Sequence, residues 1–159
     1  MMQRYLIALG SNQRSPRFGP PRAVIAAARG ALEQAGIRVI AFSPVIASRP
    51  VGPSARLFAN AAAVVEADCE PPELLARLHE IEAGFGRNRR GQRWRARVLD
   101  LDVILWEGGC WGEAGLTVPH IAFRERAFVL GPAARIAGTW CDPVSGLTLR
   151  QLRARLATG

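Results

Sequence analysis

The sequence predicts an α+β sandwich: a mainly antiparallel sheet with helices on its faces. Three observations carry this expectation. Apolar strand-like runs and helical periodicities follow one another in the order strand, helix, strand, strand, helix, strand. Both helical segments open at prolines and close at glycines, the asymmetry expected of helix termini. The length of 159 residues fits one domain spanning 1–159, because a chain of this size buries roughly 70% of the surface its unfolded form exposes and needs only one core.

Residues 5–9 are an apolar run closed by Gly10-Ser11-Asn12, as for a buried strand that ends in a turn with exposed backbone amides. From residue 20 or 21 to 36, Val24, Ile25, Ala28, Leu32 and Ala35 recur near helical spacing, Pro21 suits a first turn, and Gly36 is a natural stop. Residues 37–46, rich in Val and Ile, read as a second strand and residues 58–67 as a third. Ser48-Arg49-Pro50-Val51-Gly52-Pro53 forms a stiff loop between them. Pro71-Pro72-Glu73 opens a second helix that lines one face with Leu74, Leu75, Leu78, Ile81 and Phe85, before Gly84 and Gly86 loosen its end. Residues 87–97 contain six arginines, Trp94 and almost no aliphatic side chain, so they are not core. A further strand covers 98–106. Beyond it Pro119, Pro132 and Pro143 punctuate short helical or turn segments, and an amphipathic helix covers about 148–156. This order is that of a ferredoxin-like split βαβ unit.

A hydrophobic fraction of 49%, a charged fraction of 21% and a mean hydropathy of +0.07 are those of a globular chain and exclude wholesale disorder. The 21 basic residues against 13 acidic ones leave a net charge of +8, and every basic residue is Arg. Arginine binds phosphate through a planar fork, so the excess favours a polyanionic partner; a GC-rich genome accounts for the same excess without one. Cys69, Cys110 and Cys141 stand far apart with no C-x-x-C, which signals neither a zinc site nor a disulfide framework and suits a reduced, cytoplasmic protein. The N-terminal apolar run is far shorter than the roughly 20 residues that span a bilayer, and no membrane partner is expected.

The chemistry concentrates in Val98-Leu99-Asp100-Leu101-Asp102-Val103. Residues two apart on a strand share a face, which sets Asp100 and Asp102 side by side while Leu99, Leu101 and Val103 turn to the core. Their repulsion is relieved by a divalent cation, and hard Mg2+ prefers such oxygens together with substrate phosphates. The competing reading is an edge-strand face with two solvated acids. The arginines just upstream favour the first, since cation ligands and phosphate-binding forks together stabilise the charge of phosphoryl transfer. Trp94 is suited to stack on a heterocycle or to anchor its loop on the domain. His120, followed by Arg124 and Arg126, is a candidate nucleotide contact or a satisfied structural histidine. Asn60, in a strand otherwise filled with Phe58, Ala61, Ala62, Ala63 and Val64, offers a donor and an acceptor to a heterocycle edge. There is no G-x-x-x-x-G-K-[ST] and no G-x-G-x-x-G after a strand, so arginines and metal must hold any ATP.

These residues fall in blocks: Ile7-Ala8-Leu9-Gly10-Ser11-Asn12, Phe58-Ala59-Asn60-Ala61, Glu82 with Gly86-Arg87-x-Arg89, Arg93-Trp94-x-x-Arg97-x-x-Asp100-x-Asp102, Val118-Pro119-His120, and Arg126-Ala127-Phe128-Val129-Leu130. In this order and spacing, from about residue 5 to 135, the chain resembles the hydroxymethyldihydropterin pyrophosphokinases of folate biosynthesis. The resemblance implies a ferredoxin-like fold and transfer of pyrophosphate from ATP to a pterin alcohol, with Asp100 and Asp102 holding two Mg2+ ions. It implies catalytic roles for Arg87, Arg97 and Asp102, the last also as a proton acceptor. Glu82, Arg89, Trp94, Val103, Thr117, His120, Ile121 and Arg126 would surround ATP. Ser48, Val51, Phe58, Asn60, Trp94 and Phe128 would form the pterin slot. Loops at 11–20, 48–57 and 87–97 would close over the site to exclude water.

The chain departs from the family pattern at several places. Ser48-Arg49-Pro50 replaces Thr-x-Pro, Ala55-Arg56-Leu57 replaces a Gln-Pro before the aromatic, Gly115 stands where a basic ATP contact is common, and His79 stands where a Gln often meets the nucleotide. Arg49, Arg90 and Arg95 are candidate compensations. Two rival readings remain: a weakened paralogue that binds pterin or nucleotide, and an RNA-binding module, for which no RNP signature is present. The expected partners are ATP and a pterin, with no nucleic acid, and the expected state is a monomer.

Overall fold

The computed structural model describes residues 1–48, 57–86 and 97–158. Its elements are β1 (Gln3–Ser11), α1 (Pro21–Gln34), β2 (Arg38–Phe42), β3 (Ile46–Ser48), β4 (Phe58–Ala67), α2 (Pro71–Gly84), β5 (Asp100–Trp106), β6 (Trp111–Glu113), β7 (Leu116–Val118), a short 3-10 turn (Phe123–Glu125), α3 (Ala127–Ala137) and α4 (Leu149–Thr158). The main sheet runs β2-β4-β1-β5, with β3 also on β4, and every pairing is antiparallel. Taking β2 and β3 as one interrupted strand, this is the ferredoxin-like arrangement expected from the element order.

Period-2 alternation sorts the strands onto two cores. Tyr5, Ile7 and Leu9 of β1, with Ala61, Ala63 and Val65 of β4, face Val24, Ile25, Ala28 and Leu32 of α1 and Leu74 and Leu78 of α2. Leu6 and Ala8, with Ala62 and Val64, face Val129, Leu130 and Ala133 of α3 and Leu149 and Leu152 of α4. The many alanines of β4 bring helices close to both faces of this central strand.

The expected strand at 37–46 is broken in two. Pro44 has no N–H for a ladder, and Ser43 takes over locally: its N–H donates to Ala62 O at 2.9 Å, and its Oγ accepts from Ala62 N at 2.9 Å. The C-terminal third holds more structure than expected, namely the β6-β7 hairpin and the 11-residue α3. Pro132 lies inside α3 instead of ending it. It removes the bond its N–H would make one turn back, while its own ring is buried.

The part of the 11–20 loop at Ser15 is held in place. Ser15 and Gly19 exchange backbone hydrogen bonds at 2.7 and 2.9 Å, Ser15 Oγ accepts from the N–H groups of Arg17 and Phe18, and Phe18 stacks on Phe85 at the end of α2. Among the described residues no helix is long and apolar enough to cross a membrane.

Candidate active site

Directly opposed residues of an antiparallel sheet point to the same face, so the register lays out the site. Ile46, Asn60, Gly10 and Asp100 form one row across β3, β4, β1 and β5, and Ala62, Ala8 and Asp102 form the next. The amide and the two carboxylates therefore share a face, separated by small residues. With strands about 4.8 Å apart, the Cα atoms of Asn60 and Asp100 lie about 10 Å from each other. Gly10 keeps the space between them open: a Cβ there would stand 3.3 Å from Asn60 Oδ1, close enough to press on the amide.

The carboxylate end opens into a cavity of about 390 Å3. The helix α2 contributes Leu75, His79 and Glu82, the segment through β5 contributes Arg97, Asp100, Leu101, Asp102 and Val103, and the chain around β7 contributes Gly115, Leu116, Thr117, His120 and Ile121. Because β5 is the edge of the sheet, its outward N–H groups need partners. Glu82, almost wholly buried, supplies one: its Oε2 accepts from Leu101 N at 2.7 Å. Arg97 Nη1 donates to Asp100 Oδ1 at 3.3 Å, so a guanidinium already neutralises part of the acidic pair.

His120 is docked on β5 by its backbone N–H, 3.0 Å from Ile104 O, and its Nδ1 accepts from Ala122 N at 3.1 Å. Burial first, and the Arg126 guanidinium next, push its pKa below the ordinary value, against an opposing pull from Asp100. A neutral imidazole with its proton on Nε2 follows at pH 7. Gly115 has φ +84° in the tight turn between β6 and β7, a conformation that glycine adopts at least cost.

Of the residues singled out in the sequence, the cavity gathers Glu82, Arg97, Asp100, Asp102, Val103, Thr117, His120 and Ile121. Phe58 and Asn60 stand on β4, on the same sheet face as the acids but outside this cavity. Phe128, half exposed in the first turn of α3, lies 5.7 Å from the Arg126 guanidinium, which sits at the N-cap of that helix. Ser48 ends β3 opposite Phe58. Val51, Arg87, Arg89 and Trp94 lie outside the described residues, as do Arg49, Arg90 and Arg95. Leu75 was not anticipated as a lining residue, although its spacing of four to His79 and seven to Glu82 puts all three on one helix face.

A pair of acids on an edge strand, with an arginine beside them and a histidine lining the same cavity, is a layout suited to a divalent cation and an anionic ligand, and it sits on a small α+β fold. The family is specific. Residues 6–138 match the model of 7,8-dihydro-6-hydroxymethylpterin-pyrophosphokinase (HPPK), and the chain belongs to that family. Similar curated proteins carry the name 2-amino-4-hydroxy-6-hydroxymethyldihydropteridine pyrophosphokinase. The one from Methylorubrum extorquens is 38% identical, with 98% of this chain and 94% of that protein covered. Those from Pseudomonas aeruginosa and Synechocystis are 40% and 42% identical over 86% and 74% of this chain, which spans 82% and 60% of their lengths. A Plasmodium falciparum HPPK-DHPS crystal structure superposes with a TM-score of 0.77 at 13% identity over 99% of this chain and 44% of that one, a likeness of fold.

Proposed function

We propose that this chain transfers the β,γ-pyrophosphoryl group of MgATP to the hydroxymethyl oxygen of 6-hydroxymethyl-7,8-dihydropterin, giving AMP and the pterin diphosphate of folate biosynthesis. Beyond family membership, the observation that carries the reading is the layout of one sheet face: an amide at Asn60 in one row with Gly10 and Asp100, and the carboxylate of Asp102 in the adjoining row, beside the buried alanines Ala8 and Ala62. A flat heterocycle hydrogen-bonded at Asn60 and flanked by Phe58 and Phe128 would place its side-chain alcohol toward the acids.

Asp100 and Asp102 are the residues that would hold Mg2+. Among the described residues no three His, Cys, Asp or Glu side chains converge, but Mg2+ commonly takes only one or two carboxylates and completes its shell with water and substrate phosphates. Two hard anionic oxygen donors that open into a cavity fit that requirement. When bound, the ions would neutralise phosphate charge and align it. Arg97, already beside Asp100, and Arg87 would bind the transferred phosphates. Arg89, Trp94, Glu82, Val103, Thr117, His120, Ile121 and Arg126 would enclose the nucleotide, and Ser48, Val51 and Trp94 would complete the pterin slot. The alcohol oxygen attacks the β-phosphorus, the bond to the oxygen that leaves with AMP breaks, and the alcohol proton passes to Asp102. Positioning and charge neutralisation carry most of such a reaction.

The test is the mass of the products formed from MgATP and the pterin alcohol, with Asp102→Ala beside the wild type. AMP and a pterin diphosphate, both lost in the variant, are expected. A folded wild type that releases no AMP would overturn the reading.

A further inference from the structure

The block Gly10-Ser11-Asn12 contains one residue whose contribution the reaction as described leaves unexplained. Asn12 follows the end of β1, and Arg97 precedes β5 by three residues. The two are joined at two points: Asn12 N donates to Arg97 O at 3.0 Å, and Arg97 N donates to the side-chain Oδ1 of Asn12 at 2.6 Å. In a regular antiparallel pair both bonds would be made by main chain. Here the side-chain oxygen of Asn12 replaces its own carbonyl. The ladder also slips by one residue, since Gly10 faces Asp100 but Asn12 grips position 97.

We propose that Asn12 is a positioning residue for the transfer: by holding both the N–H and the C=O of Arg97, it fixes where the Arg97 guanidinium stands relative to Asp100 and the transferred phosphates. The consequence is geometric. A guanidinium sits on three methylenes, and only a fixed peptide limits where those can carry it. The Arg97 side chain is one-third exposed and meets Asp100 at 3.3 Å, a contact that by itself is too loose to define its place. The peptide clamp supplies what the ion pair does not. It acts on the backbone, so serine or alanine, which lack an acceptor at that reach, cannot replace it, whereas aspartate retains Oδ1.

The inference rests on the assignment of Arg97 to the transferred phosphates, and the experiment separates the two. Steady-state AMP formation by the full chain is measured for Asn12→Ala, Asn12→Asp, Arg97→Ala and the Asn12→Ala/Arg97→Ala pair, with unfolding temperatures recorded for each. Asn12→Ala is expected to lower kcat on the order of 10- to 100-fold, the cost of misplacing a reacting group by about an ångström, with smaller changes in either KM. Asn12→Asp should recover most of that loss. In the Arg97→Ala background, Asn12→Ala should add less than about threefold, because the group it positions is gone. Full additivity of the two losses, or an Asn12→Asp variant as slow as Asn12→Ala with an unchanged unfolding temperature, would overturn the role of Asn12. An Arg97→Ala variant with wild-type kcat would instead remove the assignment of Arg97, and the positioning role with it.

Discussion

Replacing Asp142 should destabilise the protein and weaken ATP binding at a site to which Asp142 does not belong. Asp142 is wholly buried and lies beyond the family-matched residues 6–138. Its carboxylate accepts from Arg124 Nε at 2.6 Å and Nη2 at 2.8 Å, from Ser145 Oγ at 2.6 Å, and from the backbone N–H groups of Val144 and Ser145. Arg124 lies in the turn between His120 and Arg126, so the pair ties the segment proposed to meet the nucleotide to the C-terminal loop. Asp142→Ala strands the guanidinium and these loop donors. Breaking a buried pair costs about 3–5 kcal/mol, and we expect about 2–4 kcal/mol because part of the Arg124 side chain can hydrate. At about 2–4 °C per kcal/mol for a chain of this length, the unfolding temperature should fall on the order of 10 °C. Asp142→Asn, which keeps the shape and one acceptor, should lose about half as much.

Burial would raise the pKa of Asp142, but the bonds from Arg124, Ser145 and Val144 outweigh it and hold the carboxyl far below the usual carboxylate range. A depressed carboxylate contributes stability that is fully present above its ordinary pKa of about 3.9 and is lost as pH falls through the folded value. The gap between wild type and Asp142→Asn should therefore stay constant from neutral pH down to about 5 and narrow only below about 4. Circular dichroism melts across that range, with KM for ATP measured at 25 °C, make the test. An Asp142→Ala melt within about 2 °C of wild type would refute the magnitude, and an unchanged KM would refute the coupling to the site.

Two further outcomes follow from the site. His120 is held neutral by burial and by Arg126, so between its ordinary pKa of about 6.5 and its lower folded value the unfolded chain binds more protons and stability rises with pH. Urea midpoints should drop more steeply from pH 7 to pH 5 in the wild type than in His120→Asn, and equal slopes would contradict this. Gly10→Ala forces a Cβ to 3.3 Å from Asn60 Oδ1, and an overpacking cost of about 1 kcal/mol at the proposed pterin end should raise KM for the pterin about fivefold while leaving KM for ATP within about twofold. An unchanged pterin KM in steady-state assays would show that Asn60 does not need its present position.

Residue order alone made most of the fold legible. Strand 58–67 and the start of α2 at Pro71 are where apolar runs and prolines placed them, because β-branched runs, proline and glycine act through local backbone geometry. The same locality explains the misses. Ser43 mends a ladder at a proline only because β4 lies beside it, and Pro132 lies inside α3 although its local chemistry reads as a stop. Leu116 lines the cavity through tertiary neighbours, and no local pattern marks it, whereas Leu75 was legible from its helical spacing to His79 and Glu82.

The sequence by itself determined the family, the fold class and the pairing of Asp100 with Asp102 on one face, since strand alternation is a property of the backbone and needs no partner. Only the tertiary structure decided that Asn60, Gly10 and Asp100 share a row, that Glu82 closes the edge strand, and that Asn12 grips the peptide of Arg97. Those relations join residues up to 90 positions apart, as Gly10 and Asp100 are, and register between distant strands is set by how whole faces pack, which no single segment encodes.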